Sequence, residues 1–222
     1  MTKLLFDPQG IPIESLAGES AVPPECLTVA WLRERFAHPP AWVTEQTDEH
    51  LLRDQGATLT PASVLIPIVV REEGLTLMFT LRSEHLTDHG GQVSFPGGRW
   101  EPSDASPIDT ALRETEEEVG LGRRHVEVLG TLPDYLTGTG YRVTPVVAIV
   151  HPPFEITLDP KEVAEMFEVP LAFLMDGANH QRRAVDFPPG VRRTFYAMPY
   201  DRFFIWGATA GMLRNLFHFL RA

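Results

Sequence analysis

The chain has 222 residues, 43% hydrophobic and 22% charged, which is an ordinary globular composition and excludes wholesale disorder. Its formal net charge of −11 argues against nucleic acid as a partner, because phosphate backbones are bound by basic surfaces. A single cysteine, Cys26, excludes an internal disulfide, and it reads as structural rather than nucleophilic.

Residues 1–60 read as an N-terminal extension and 61–222 as the main domain. The start, "MTKLLFDPQGIPIESL", lacks the apolar core of a signal peptide, and no stretch has the ~18 consecutive apolar residues of a membrane span. A cytoplasmic protein with no membrane partner is expected. "PPECLTVAWLRERFAHPP" predicts a short helix stopped by proline pairs. A polar stretch, "TEQTDEHLLRDQGATLTP", leads to "ASVLIPIVV" and "LTLMFTLRS", two β-rich runs joined by "REEG" as a hairpin. "QVSFPGG" is a strand running into a tight turn, a strong helix follows, and "VEVLGTL" and "YRVTPVVAIV" are further strands. "EVAEMFEVPLAFLMD" mixes strand and short helix. "RRAVDF", "RTFYAMPY" and "RFFIW" read as strands before a closing amphipathic helix, "ATAGMLRNLFHFLR". Strands outnumber helices without strict alternation, which predicts a mixed-sheet α/β or α+β domain.

The strong helix carries the chemistry. Ser106 is its N-cap, Pro107 suits the first turn, Asp109 sits at the capping-box acid position, and Gly120 supplies the stop. At ~100° per residue, Ile108, Ala111, Leu112, Thr115 and Val119 form the buried arc, with Glu114, Glu117 and Glu118 together on the far side. Glu116 falls elsewhere, near the edge of the apolar arc. Arg113 stands four residues from Glu117 and supports it. Three convergent carboxylates suit a hard divalent cation, the alternative being a solvated acidic face. Gly97 and Gly98 precede the helix at a strand end, where backbone can approach a ligand closely.

"GGRWEPSDASPIDTALRETEEEVGL", residues 97–121, resembles the Nudix box, G-x5-E-x7-R-E-U-x-E-E-x-G-U with U aliphatic. Arg113, Glu114, Glu117, Glu118, Gly120 and Leu121 match it. Gly98 serves as the first glycine, Thr115 replaces an aliphatic residue, and the loop is one residue longer, so that Asp104 lies near the missing acid's place. "LRSEHLTDHGGQVSFPGG", residues 81–98, resembles the extra signature of the coenzyme A diphosphatase branch, and later blocks carry the likeness to about residue 216.

The resemblance implies an α/β/α sandwich around a mixed β-sheet. It also implies Mg2+- or Mn2+-dependent cleavage of coenzyme A to 3′,5′-ADP and 4′-phosphopantetheine, with a small-molecule substrate as partner. A homodimer is admitted by the sequence but not required. Other dinucleotides, such as NADH or ADP-ribose, and a silent nucleotide-binding protein are the alternatives. By the same resemblance Glu114, Glu117 and Glu118 are the metal ligands, with Glu117 a ligand or water activator and Arg113 holding the acid group. Glu162 and Glu165 are both candidates for a fourth catalytic carboxylate, and Glu162 is preferred. Arg82, Gln92, Gly97 and Gly98 are the expected substrate contacts, Arg82 because its fork suits phosphate. His89 is read as either a contact or a loop fixture. Arg123–Arg124, Arg182–Arg183 and Arg192–Arg193 are candidates for the 3′-phosphate weighed against ordinary surface, and Phe203 and Trp206 are read as core rather than an adenine platform.

Overall fold

The computed structural model describes residues 7–45, 58–86, 89–187 and 191–222. The first six residues, the polar stretch beyond Glu45, and Thr87–Asp88 of the upstream block lie outside them. The N-terminal stretch provides strand β1 (Ile13–Leu16) and helix α1 (Val29–Ala37), which Thr28 caps by accepting the Trp31 N–H. The expected hairpin is β2 (Thr60–Arg71) and β3 (Gly74–Arg82), turned at Glu72–Glu73 with Gly74 at φ 127°. Short strands β4 (Val93–Ser94) and β5 (Gly97–Arg99) precede helix α2 (Pro107–Val119). Strands β6 (Val126–Thr131), β7 (Tyr135–Leu136), β8 (Tyr141–Val150) and β9 (Val163–Pro170) follow, then a single turn, α3 (Leu171–Leu174). Strands β10 (Gln181–Phe187), β11 (Val191–Tyr200) and β12 (Phe203–Trp206) lead into the closing helix α4 (Gly207–Arg221).

An eight-stranded mixed sheet runs β4-β3-β2-β8-β6, with β5 on β2, β7 on β8 and β9 on β3. Its centre is the parallel pair β2–β8, whose near-continuous apolar runs are buried on both faces. Strand alternation divides the core. Val64, Ile66, Ile68 and Val70 join the large cluster shared with α1 and α4, whereas Leu65 and Val69 turn to the face covered by α2. This is a mixed α/β architecture with helices on both faces of the sheet.

One face departs from the expected sandwich. Strands β10–β12 and β1 form a second, antiparallel sheet in the order β1-β10-β11-β12. Met198 and Ile205 from it enter the same core cluster as α1 and α4, so that face is covered by helices and a sheet together. The N-terminal stretch is tied in by charge as well. Arg214, buried in α4, donates to Glu19 and to Glu45 at 2.7 Å each. Removing such a partner would leave buried charge uncompensated. Cys26 packs against the large core cluster. Among the described residues no helix is long and apolar enough to cross a membrane.

Candidate functional site

Helix α2 is set by its ends. The Ser106 hydroxyl accepts the Asp109 N–H at 3.2 Å, and Gly120 closes the helix at φ 70°. The capping box is displaced by one residue, since the Asp109 carboxylate receives the N–H of Ala105 at 3.1 Å rather than that of Ser106. Ala111, Thr115 and Val119 are buried as expected, while Ile108 and Leu112 are only half-buried.

Glu118 corrects the wheel. Of the three only Glu117 stays on the outer side: the Glu114 side chain is 15% exposed, and Glu118 is 2% exposed and turned in under the strand-end turn, where its carboxylate accepts the Gly97 N–H at 3.1 Å. The Arg82 guanidinium lies 3.6 Å away on its other side. Burial, reinforced by the charges of Glu162 and Glu114, pushes the Glu118 carboxyl up to about 8, against the pull of Gly97 and Arg82. Glu114 is raised too, first by burial and then by Glu117 and Glu162, although Arg113 opposes the rise. Glu117 has a 61% exposed side chain and forms the outer member of the group.

Arg113 organises these acids. Its Nη1 lies 2.9 Å from Glu114 and 3.0 Å from Glu117. Its Nε and Nη2 grip both oxygens of Asp104 at 2.8 and 3.0 Å, and Nη2 also donates to the Arg99 carbonyl. Asp104 is 7% exposed and accepts further from Thr110 and the Glu101 N–H; the Arg113 fork holds its carboxyl well below the usual range. The one-residue loop extension therefore keeps an acid behind the arginine, a role that counting positions could not assign.

The two candidate fourth acids separate by strand geometry. Glu165 pairs with Leu81, whose side chain joins the large cluster, so it faces away from α2 and forms an ion pair with Arg202. Glu162 precedes β9 beside Arg82, with its carbonyl accepting the Ser83 N–H at 2.9 Å, and its charge acts on both Glu114 and Glu118. In the upstream block, His89 takes φ 60° and its Nδ1 lies 2.9 Å from Gln92 Oε1, which fixes the loop. Gln92 also accepts the Arg82 N–H through its carbonyl.

Several tempting cations are committed elsewhere. Arg183 is buried and donates to the carbonyls of Pro8, Gln9 and Ile11; Arg192 pairs with Glu14 and Asp186, and Arg123 with Asp109. Phe203 stacks on Phe167 with ring centroids 3.5 Å apart, and Trp206 meets Phe195 edge-on, so both are packing residues.

Among the described residues no three His, Cys, Asp or Glu side chains stand at metal-holding geometry, and Arg113 bridges the carboxylates of Glu114 and Glu117. The donor set nevertheless fits a hard divalent cation: a buried carboxylate beside a second one that is mostly buried, all ligating atoms oxygen. Glu116 takes no part. It is exposed, 3.6 Å from Arg123, and Glu116→Gln is expected to leave kcat within about twofold, since exposed pairs contribute little. Steady-state kinetics would check this, and a loss as deep as at Glu118 would contradict the geometry.

A family model described as "NUDIX domain" matches residues 59–186. Relatives from Yersinia pestis (strain Pestoides F) and Yersinia pseudotuberculosis serotype O:1b (strain IP 31758), both named "Uncharacterized Nudix hydrolase NudL", are 42% identical over 160 residues, covering 72% of this chain and 79% of theirs. Among solved structures, the Nudix hydrolase RenU from M. Smegmatis is 20% identical with a TM-score of 0.45, over 59% of this chain and 80% of its own.

Proposed function

This chain belongs to the Nudix family of hydrolases, and from that premise we propose that it hydrolyses the diphosphate bond of coenzyme A, or of a coenzyme A derivative, to 3′,5′-ADP and 4′-phosphopantetheine. The family acts on nucleoside diphosphate derivatives and generally uses divalent metal ions. The observation that carries the narrower reading is the seat of the upstream block: the stretch that resembles the coenzyme A branch brings Arg82 to 3.6 Å from Glu118, at the acidic helix itself.

Glu118, Glu114 and Glu117 would hold Mg2+ or Mn2+, which when bound neutralises diphosphate oxygens and acidifies a coordinated water. The remaining work belongs to the chain. The Gly97 N–H fixes the Glu118 carboxylate, and Arg113, anchored on Asp104, holds Glu114 and Glu117 in register on the helix. Gly98 leaves room for the Glu114 carboxylate against the turn. Glu162 is exposed and its charge acts on Glu114 and Glu118, so its carboxylate can take the proton of the attacking water. The Arg82 fork faces a substrate phosphate.

Incubation with coenzyme A and Mn2+ or Mg2+, followed by mass analysis, should give 3′,5′-ADP and 4′-phosphopantetheine. Turnover of NADH or ADP-ribose faster by about an order of magnitude would sink coenzyme A as the substrate.

A further inference from the structure

Glu118 faces two like charges, Glu114 and Glu162, and two opposing groups, the Gly97 N–H and the Arg82 guanidinium. Of these opposing groups only Arg82 is a full charge, and it is carried on a long side chain. Its backbone is pinned, the N–H on the Gln92 carbonyl and the carbonyl on the Gly91 N–H at 3.0 Å each. Its side chain is one-quarter exposed, so the guanidinium stands 3.6 Å from the buried carboxylate without being wholly shut off from solvent. A long side chain on a fixed root can exchange one oxygen anion for another without moving a strand.

We propose that Arg82 is the internal counter-ion of Glu118 and competes with the divalent cation for that carboxylate, so that cation binding releases the guanidinium to a substrate phosphate. The inference rests on the reading of Glu118 as a metal ligand. It makes metal and substrate sites share one residue: with the cation in place the arginine loses its carboxylate partner, and the incoming phosphate becomes the anion that satisfies it. By linkage, substrate and metal then tighten each other's binding through Arg82. Arg82 is in this respect a positioning residue whose absence helps one ligand and harms the other. A fork that merely held Glu118 in place for the metal would have the opposite sign.

Mn2+ binding to the full chain without substrate at pH 8.5, followed by the electron paramagnetic resonance of free Mn2+, separates the two. Arg82→Gln should bind Mn2+ about tenfold more tightly than the wild type, within the usual range of site-to-site coupling. Arg82→Met, which keeps the apolar stem, should do the same, and Arg82→Lys should stay near the wild-type value. At saturating Mn2+, the Gln variant should show its loss mainly in KM for coenzyme A. Unchanged or weaker Mn2+ binding by folded Arg82→Gln or Arg82→Met overturns the competition while leaving the metal site intact. Absence of Mn2+ binding by every protein, wild type included, overturns the metal reading and this inference with it.

Discussion

Glu118→Gln is expected to remove turnover while making the metal-free protein more stable. The two effects have one cause. A carboxylate that is 2% exposed and flanked by Glu114 and Glu162 is costly to ionise, and burial, the first of these causes, carries its carboxyl from 4.5 to about 8. In the unfolded chain the same group releases its proton near 4.5. As pH rises from about 4.5 the unfolded state deprotonates first, so the native state loses stability until its own carboxyl ionises near 8. Glutamine removes that penalty, and its amide oxygen can still accept the Gly97 N–H. In EDTA, Glu118→Gln should match the wild type near pH 4.5 and exceed it by up to about 5 kcal/mol at pH 9, a rise of roughly 10–20 °C in Tm. With Mn2+ present, its kcat should fall by about a hundredfold or more, as loss of a group acting on the transition-state charge does. Thermal melts across pH and steady-state kinetics test both halves. A variant less stable than the wild type at pH 9 would show that Glu118 is not strained, and one with normal turnover would take the metal off this helix.

The helix itself was legible in the sequence, because its signals are local. Ser106, Pro107 and Gly120 mark its ends within a turn of where they act. The hairpin at Glu72–Glu73 and the strand patterns after Glu162 are local in the same way. A wheel with one buried face and one wet face misplaces Glu118, which is 2% exposed. The Gly97–Gly98 turn covers the flank between them, and only the fold places that turn there. The pairing of Arg82 with Glu118, the choice of Glu162 over Glu165 as the acid near Glu118, and the sheet that β1 joins all depend on long-range strand register, and periodicity along one segment carries no register information. Asp104 lies between these cases. An acid near the expected place was visible, but its grip on Arg113 depends on how a loop one residue longer closes.

The two glycines at the turn should fail in different ways when each becomes alanine. Gly97 has φ 151°, and a Cβ there would lie 2.6 Å from the Val64 Cα and closer still to the Ser63 carbonyl oxygen. Both are backbone atoms of β2, a central strand paired along its length, so they cannot withdraw. Backbone strain and overpacking together should cost Gly97→Ala about 3–5 kcal/mol. Gly98 has no such strain. Its Cβ would meet the Glu114 carboxylate, with Oε1 at 2.6 Å, and that is the end of a flexible side chain that can swing aside. Gly98→Ala should therefore melt within about 2 °C of the wild type, helped slightly by a less flexible unfolded chain. Its kcat should nevertheless fall by roughly ten- to a hundredfold, because the displaced carboxylate no longer stands beside Glu118, and small misplacements of catalytic groups cost about that much. Melting curves and kinetics on the pair decide the matter. If Gly98→Ala kept full activity, Glu114 would not need its seat against the turn; if Gly97→Ala were as stable as the wild type, β2 would yield more than a central strand should.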